Sequence, residues 1–394
     1  MRQQVMHAAD PLFESIQALL AEHRIRYVSA DELSIERRRR GRGFVYRDAG
    51  GVTVRDLEAI ARFRSLAVPP AWRQVRLAPE PAWHLQALGH DAAGRMQRRY
   101  HESWDAIRNA AKRIRLVRFA QVLPRIRAAV AADLARPFGD RDGLCATAVR
   151  LIDLAHLRPG SETALREIGS RGVTTLAPAN VTISGPTVKL SFRGKSGQWV
   201  DCEVRDALLS RRIEQLKDRN RRRLFRLTRG DRDCLLSCAD LNGYLQRVAR
   251  LPVSAKDFRT WDASATALWH LLAEPLPASA RGRNRILAAL ARTVAERLGN
   301  TPSIARNSYI HPSVPDAWLA GAFEGGTGPA LRRAARATRW LAREEVALRR
   351  FLAATAAGLP LSGARTAKAA RRRAVARGRG TAPRVRAGSS RPAP

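Results

Sequence analysis

At Trp104 the chain changes character. Upstream, short apolar runs alternate with glycine, proline and aspartate. Downstream, apolar residues recur at helical spacing with a single strong β interval among them. This switch predicts an α+β architecture: a small β-rich N-terminal domain followed by a larger, mainly α-helical domain that contains one three-stranded antiparallel sheet.

Residues 1–40 read as an N-terminal extension. Leu12, Phe13, Ile16, Leu19 and Leu20 mark an amphipathic helix, and a basic run, Arg37 to Arg40, closes the segment. Residues 41–107 form the β-rich module. Phe44 to Tyr46 and Val52 to Val54 flank Asp48-Ala49-Gly50-Gly51, which predicts a hairpin. Leu57, Ile60, Ala61 and Leu66 predict a helix that Pro69-Pro70 stops. Short strands around Val75 to Leu77 and His84 to Ala87 then lead into the segment from Gly94 to Tyr100.

In the larger domain, residues 108–325, strands are expected at Val181 to Ile183, Val188 to Phe192 and Trp199 to Val204. They are joined by Ser184-Gly185-Pro186 and Gly194-Lys195-Ser196-Gly197. Helices are expected over Leu208 to Leu216, Asp240 to Ala249 and Trp261 to Leu272, with an irregular connection from Leu276 to Arg285. Residues 326–362 read as one further helix, ending near Ala357. The tail, 363–394, has ten basic residues and no acidic ones, so it cannot bury a core and is expected to be disordered and to touch polyanions nonspecifically.

A net charge of +36 and a pI near 11.7 point to a polyanionic partner, with nucleic acid first among them. No apolar run reaches membrane-spanning length and no apolar leader opens the chain, which argues against a membrane protein. The four cysteines, Cys145, Cys202, Cys234 and Cys238, make no disulfide framework and lack a second ligand pair for zinc, as expected of thiols in a reducing cytoplasm. Only six of the 71 basic residues are lysine. Each lysine therefore merits inspection, because arginine binds phosphate but does not release its proton near neutral pH.

Five positions combine into a phosphoryl-transfer constellation. Arg158 follows an apolar helix, and Pro159 with Ser161 makes a helix–helix corner suited to gripping a phosphate. Lys195 occupies a glycine-flanked hairpin tip, where a proton donor fits better than a fixed charge. Arg259 lies in Lys256-Asp257-Phe258-Arg259-Thr260-Trp261, read as the start of a helix whose N–H groups favour phosphate, with Phe258 and Trp261 as core anchors. Asn300 is a neutral hydrogen-bond donor just ahead of a short helix that Thr301 caps and Pro302 opens. Tyr309, two turns further on, carries a phenol able to act as nucleophile.

With these residues in view the chain resembles the type IB DNA topoisomerases, specifically the small bacterial enzymes similar to poxvirus topoisomerase. Leu157-Arg158-Pro159-Gly160-Ser161-Glu162, Arg193-Gly194-Lys195-Ser196-Gly197, Lys256 to Trp261 and Leu298 to Pro312 carry the resemblance. Ile25 to Ser29, Gly43-Phe44-Val45-Tyr46, Val68 to Trp72 and Gly94-Arg95-Met96-Gln97 support it, so that it spans about Ile25 to Phe323. The resemblance implies a β-rich DNA-binding domain and a helical catalytic domain, related to the tyrosine recombinase catalytic fold, that close around duplex DNA as a monomeric clamp. It implies that Tyr309 attacks a phosphodiester and forms a 3′-phosphotyrosyl link. Arg158, Arg259 and Asn300 then stabilise the non-bridging oxygens, and Lys195 protonates the leaving 5′ oxygen. DNA contacts fall to Tyr46, Arg95, Gln97 and Tyr100. Rotation and religation need no ATP, metal or other cofactor, in keeping with the lack of a Walker-type loop or a magnesium-binding carboxylate cluster. A nucleoid-associated location in the cytoplasm is expected.

The chain departs from the family pattern in three places. Asn300 stands where histidine is frequent, so no imidazole-like titration near pH 6–7 is expected to govern cleavage. Arg98 stands where a tyrosine follows the glutamine, and Asp262 where histidine commonly follows the tryptophan. Tyrosine recombinases share the chemistry, but they usually carry histidine at the place of Lys256 and lack the β-rich module. A noncatalytic DNA-organising protein would explain the charge but not the ordered set of five residues.

Overall fold

The computed structural model describes residues 11–137, 139–219, 222–229 and 232–356. The tail from residue 363 lies outside the described residues.

The amphipathic stretch near the N-terminus forms helix α1 (Pro11–Glu22), whose Leu20 packs with Ile25 and Ile107. Strands β1 (Ile35–Arg40), β2 (Gly43–Arg47), β3 (Arg73–Leu77), β4 (Leu85–His90) and β5 (Met96–Tyr100) form one antiparallel sheet in the order β2-β1-β3-β4-β5. The basic run Arg37 to Arg40 is thus a sheet strand, paired residue by residue with β2 through Arg40↔Gly43. The expected hairpin is reduced to one antiparallel bridge, Arg47↔Thr53, with Val54 N–H donating to the Tyr46 carbonyl and Asp48 N–H to the Val52 carbonyl, while the full strand partner of β2 is β1. Val52 stays exposed.

Helix α2 (Leu57–Ser65) starts where Asp56 accepts from the N–H groups of Glu58 and Ala59. Phe63 from this helix packs with Ile35, Tyr46, Val75, Leu77 and Ala87 in a small core. A second small core gathers Val28, Leu33, Ala78, Trp83, Leu85 and Leu88.

The helical part opens with α3 (Trp104–Ala135), 32 residues long. Its Leu116, Phe119, Leu123, Ile126, Val130 and Leu134 recur at three- and four-residue steps and face the main core. Helix α4 (Arg141–Ala155) is buried along most of its length, as a central helix must be. Next come α5 (Glu162–Ile168) and the antiparallel sheet β6 (Val181–Ser184), β7 (Thr187–Arg193) and β8 (Trp199–Arg205), all as expected. Along β7, Val188, Leu190 and Phe192 point inward while Lys189, Ser191 and Arg193 point out, the two-residue alternation of a half-covered sheet.

Helix α6 (Ala207–Arg219) precedes a hairpin that the sequence did not reveal, β9 (Arg226–Arg229) with β10 (Arg232–Leu235), and then α7 (Cys238–Ala249). Helix α8 (Ala255–Leu271) takes in the whole Lys256 to Trp261 segment, because Ser254 and Asp257 form a capping box ahead of it. Helix α9 (Ala280–Leu298) replaces half of the expected irregular connection, with Ser279 accepting from the Gly282 N–H as its cap. A short helix, α10 (Pro302–Ile304), runs into a π turn, Ala305–Tyr309, and is followed by α11 (Ser313–Leu319).

The single helix expected after Gly328 is two helices, α12 (Thr327–Ala334) and α13 (Arg343–Ala356). Glu345 accepts the Ala342 N–H at the start of α13 and places its carboxylate against Arg127 of α3 at 2.7 Å. Arg127 also pairs with Asp153 of α4 at 2.8 Å, and Trp261 of α8 donates its indole N–H to Glu345. One buried ionic knot therefore ties α13 to the three central helices. No described helix is long and apolar enough to cross a membrane.

Candidate active site

Helix α4 ends at His156, which adopts a left-handed conformation, and two residues later the chain presents Arg158. The backbone of this corner is pinned. The Arg158 carbonyl accepts from Val173 N–H at 3.0 Å, and the Pro159 carbonyl accepts from Thr174 at 2.8 Å. Gly160 and Gly172 pass so closely that a Cβ on Gly172 would lie 2.5 Å from the Gly160 Cα. Only glycine permits that approach. Ser161 caps α5 by accepting from Ala164 N–H, as its place after Pro159 predicts.

Lys195 sits in the turn between β7 and β8, and its side chain is exposed. Buried Phe192 anchors one side of the turn, and Gly194 N–H donates to the Gln198 carbonyl at 2.7 Å. Gly197 turns the chain at φ +75°.

Arg259 is the fifth residue of α8, past the free N–H groups of the first turn, which corrects the expectation that the helix terminus aids it. It is held by side-chain hydrogen bonds instead. Its guanidinium donates to the His156 carbonyl and, at 2.9 Å, to the Leu298 carbonyl, and the residue is only 2 % exposed. Its Nε has no protein partner. Phe258 and Trp261 are core residues, as anticipated.

Gly299 ends α9 in a left-handed conformation, and Asn300 follows it, N–H bonded to the Ala295 carbonyl. The Asn300 Oδ1 accepts from Arg158, leaving its Nδ2 buried without a protein partner. Thr301 caps α10 as expected, and the π turn that follows carries Tyr309 at its end. The Arg259 guanidinium lies over the Tyr309 ring at 4.8 Å. Burial raises the phenol pKa, but Arg259 and then Arg158 outweigh it, and the phenol titrates below its ordinary value of 10. Ser264, on α8, donates to the Thr260 carbonyl at 2.7 Å and accepts from the His311 N–H at 3.1 Å, so the helix that carries Arg259 also holds the chain just past the tyrosine turn.

Arg158, Lys195 and Arg259 line one cleft together with Trp199 and Arg171. The structure thus brings four of the five residues into direct contact or a shared wall and joins Tyr309 to them through Arg259. Two cationic guanidiniums and a buried amide donor without a protein partner beside one phenol, with Lys195 on the wall the guanidiniums share, suit a phosphodiester whose oxygens gain charge as the phenol attacks.

Neither His156 nor Arg297 is marked by any motif in the sequence. Asp262 stood out only as a departure from the family pattern. In the structure Asp262 receives Arg297 in a two-pronged pair at 2.9 Å and faces His156 at 3.5 Å.

Of the four residues expected to meet DNA, Tyr46 is 6 % exposed and packs on Phe63 at 4.9 Å, so it serves the small core rather than a surface. Arg95 is exposed and paired with Asp91, and Gln97 donates to the same carboxylate at 2.8 Å. Tyr100 is part of an aromatic group with Trp104, His84 and Tyr27 and remains partly exposed.

A small antiparallel sheet domain precedes a helical domain in which the Arg259 guanidinium lies over a buried tyrosine. Residues 102–314 match the family described as "Eukaryotic DNA topoisomerase I, catalytic core", and residues 43–91 match "Bacterial DNA topoisomerase IB, N-terminal domain". The chain is 29% identical over 267 residues to the "DNA topoisomerase 1B" of Acanthamoeba polyphaga mimivirus, covering 66% of this chain and 79% of that protein. The chain belongs to the type IB DNA topoisomerase family, of the bacterial and poxvirus-like kind, and is an isomerase that acts on DNA.

Proposed function

We propose that this protein relaxes supercoiled duplex DNA by cutting one strand through a 3′-phosphotyrosyl intermediate on Tyr309, letting the DNA rotate, and religating. The observation that carries this reading is the guanidinium of Arg259 set over the Tyr309 ring beside the Arg158–Asn300 pair. As the phenolate oxygen bonds to phosphorus, the bond to the 5′ oxygen breaks and the 5′ oxygen takes a proton. Arg158, Arg259 and the Asn300 amide stabilise the two non-bridging oxygens, and Lys195 supplies the proton. Religation reverses each step. The covalent link conserves the phosphodiester's energy, so neither ATP nor metal is required.

Residues 108–325 are proposed as the catalytic domain, with a fold related to that of the tyrosine recombinases. Residues 41–107 are proposed as the DNA-binding module, 1–40 as an extension, 326–362 as a C-terminal helical segment and 363–394 as a basic tail. By its pairing, strand β1 joins the DNA-binding module. Arg95, Gln97 and Tyr100 are proposed DNA contacts, and the enzyme is proposed to act as a monomer on the nucleoid.

The test is relaxation of a supercoiled plasmid in EDTA without ATP, followed by SDS to trap covalent protein–DNA. Tyr309→Phe is expected to abolish both relaxation and trapping. A shift in plasmid mobility with unchanged linking number would mark a noncatalytic binder and overturn the reading, and a demand for paired sites would mark a recombinase.

A further inference from the structure

Arg259 is 2 % exposed and is oriented by two backbone carbonyls, those of His156 and Leu298. These belong to the last residues of two different helices, α4 and α9, and nothing in either helix by itself fixes the distance between them. The side chain that bridges them is Asp262, one turn beyond Arg259 on α8. Its carboxylate accepts from Arg297 Nε at 2.9 Å and Nη2 at 2.9 Å, and it faces His156 Nε2 at 3.5 Å. Arg297 immediately precedes Leu298 in the chain. One carboxylate therefore gathers the side chain of the residue offering the first carbonyl and the neighbour of the residue offering the second.

The same two segments carry the rest of the anion-binding set. Arg158 lies two residues after His156 and Asn300 two residues after Leu298, and these two side chains are hydrogen-bonded to each other. A shift of either helix end would move one partner of that pair and one acceptor of Arg259 together. The two-pronged Arg297–Asp262 pair fixes direction as well as distance, which a single hydrogen bond does not. Asp262 is largely sheltered from solvent, with 14% of its side chain exposed, while Arg297 reaches it from the more open side.

We propose that Asp262 is a positioning residue for strand cleavage: by clamping His156 and Arg297 it aligns Arg259, Arg158 and Asn300 on the scissile phosphate. This rests on the reading that those three residues bind the transferring phosphoryl group. The Asp262 carboxylate is taken up by Arg297 and faces His156, so its effect passes through the alignment of charge.

The test uses the full-length protein and a duplex built around a cleavage site mapped on a labelled DNA fragment. The downstream piece leaves after cleavage, so covalent complex accumulates in one turnover. Saturating cleavage rates are compared for wild type, Asp262→Ala, Asp262→Asn and Arg259→Ala, and duplex affinity is read in a Tyr309→Phe background. Asp262→Ala is expected to slow cleavage about a hundredfold, the scale of an ångström-sized misplacement, with affinity changed by no more than about threefold. A second duplex carries a methylphosphonate at the scissile position, which removes the charge that Arg259 must neutralise. On it the Asp262→Ala defect should shrink by at least about tenfold, in parallel with that of Arg259→Ala. General loss of fold would slow both duplexes equally.

Cleavage by Asp262→Ala within about threefold of wild type, or a defect of equal size on both duplexes, would overturn the proposal while leaving a defective Arg259→Ala to support the site. Wild-type rates in Arg259→Ala would bring down the site and the clamp together. If Asp262→Ala does not fold, Asp262→Asn, which keeps the volume and one acceptor, is expected to show a smaller loss with the same relief on the methylphosphonate. Lack of that relief counts against the clamp.

Discussion

Arg259 and Tyr309 form a stacked pair, the guanidinium carbon 4.8 Å from the ring centroid, in a setting where Arg259 is almost wholly buried. A cation held there lowers the cost of forming the phenolate and is already in place for the phosphate oxygens that follow. Its own pKa is pressed down by burial, yet arginine starts so high that the charge persists at any working pH.

That pairing makes the tyrosine titration a direct readout. Difference absorbance at high pH, wild type minus Tyr309→Phe, should show one phenol that ionises below 10, and Arg259→Gln should move it upward because Arg158 alone is then left to oppose burial. For cleavage the sign follows from the nucleophile, with the rate rising as pH approaches that lowered value. An unshifted phenol in both proteins would count against the pairing.

Asn300 should leave cleavage without an imidazole-like limb near pH 6–7. The structure supplies a reason: its Oδ1 is engaged by Arg158 and its buried Nδ2 has no protein partner, which leaves a neutral donor for a phosphoryl oxygen. Asn300→Ala is expected to slow cleavage by about 10²–10³, as loss of one oxyanion donor does, and Asn300→His to introduce a titration where wild type has none. A wild-type limb near neutrality that vanishes in Asn300→Ala would refute this.

Lys195→Ala should slow cleavage by about 10²–10⁴, the usual worth of a positioned acid, with little effect on binding. A 5′-thio leaving group departs without a proton, so it should restore the rate. Persistence of the defect with sulfur in place would assign Lys195 a role other than proton donor.

The knot at Arg127 predicts that the C-terminal helix is required for stability, although the catalytic-core match ends at residue 314. Arg127→Met leaves Asp153 and Glu345 buried without their cation, and such a loss costs about 3–5 kcal/mol. Thermal unfolding should show it. Replacing all three with apolar residues should recover much of the loss.

Acid should weaken the N-terminal module. His84 is neutral, its Nδ1 accepting from Val28 N–H, and burial pushes its pKa from 6.5 to about 4. Because the unfolded chain takes up the proton first, this contribution is complete above the unfolded value and is lost as pH falls from 6.5 toward 4. Burial holds His311, in the helical domain, at about 4 as well, so acid weakens that domain over the same window. His84→Asn, which keeps an acceptor near the Nδ1 position, should unfold with a shallower dependence on pH across that window.

Much of this molecule was legible from its sequence. Apolar spacing located the three-stranded sheet and the switch at Trp104 because these depend on local periodicity. Thr301 and Pro302 marked the start of the tyrosine-bearing turn through capping chemistry that acts over a few residues. The five candidate residues were recognisable because each sits in a short run of specific type.

Tertiary structure decided the rest. Strand β1 hid within a run of arginines, since its pairing with β2 and β3 depends on partners rather than on its own composition. Tyr46 proved to be a core residue because Phe63, on another element, covers it. Nothing in the order of residues places the carbonyls of His156 and Leu298 around Arg259 or sets Asp262 between His156 and Arg297. Local spacing encodes which residues turn, cap or face inward. The meeting of the end of α4 with α8 and α9, more than a hundred residues further along the chain, is fixed only when the helices pack on a common core.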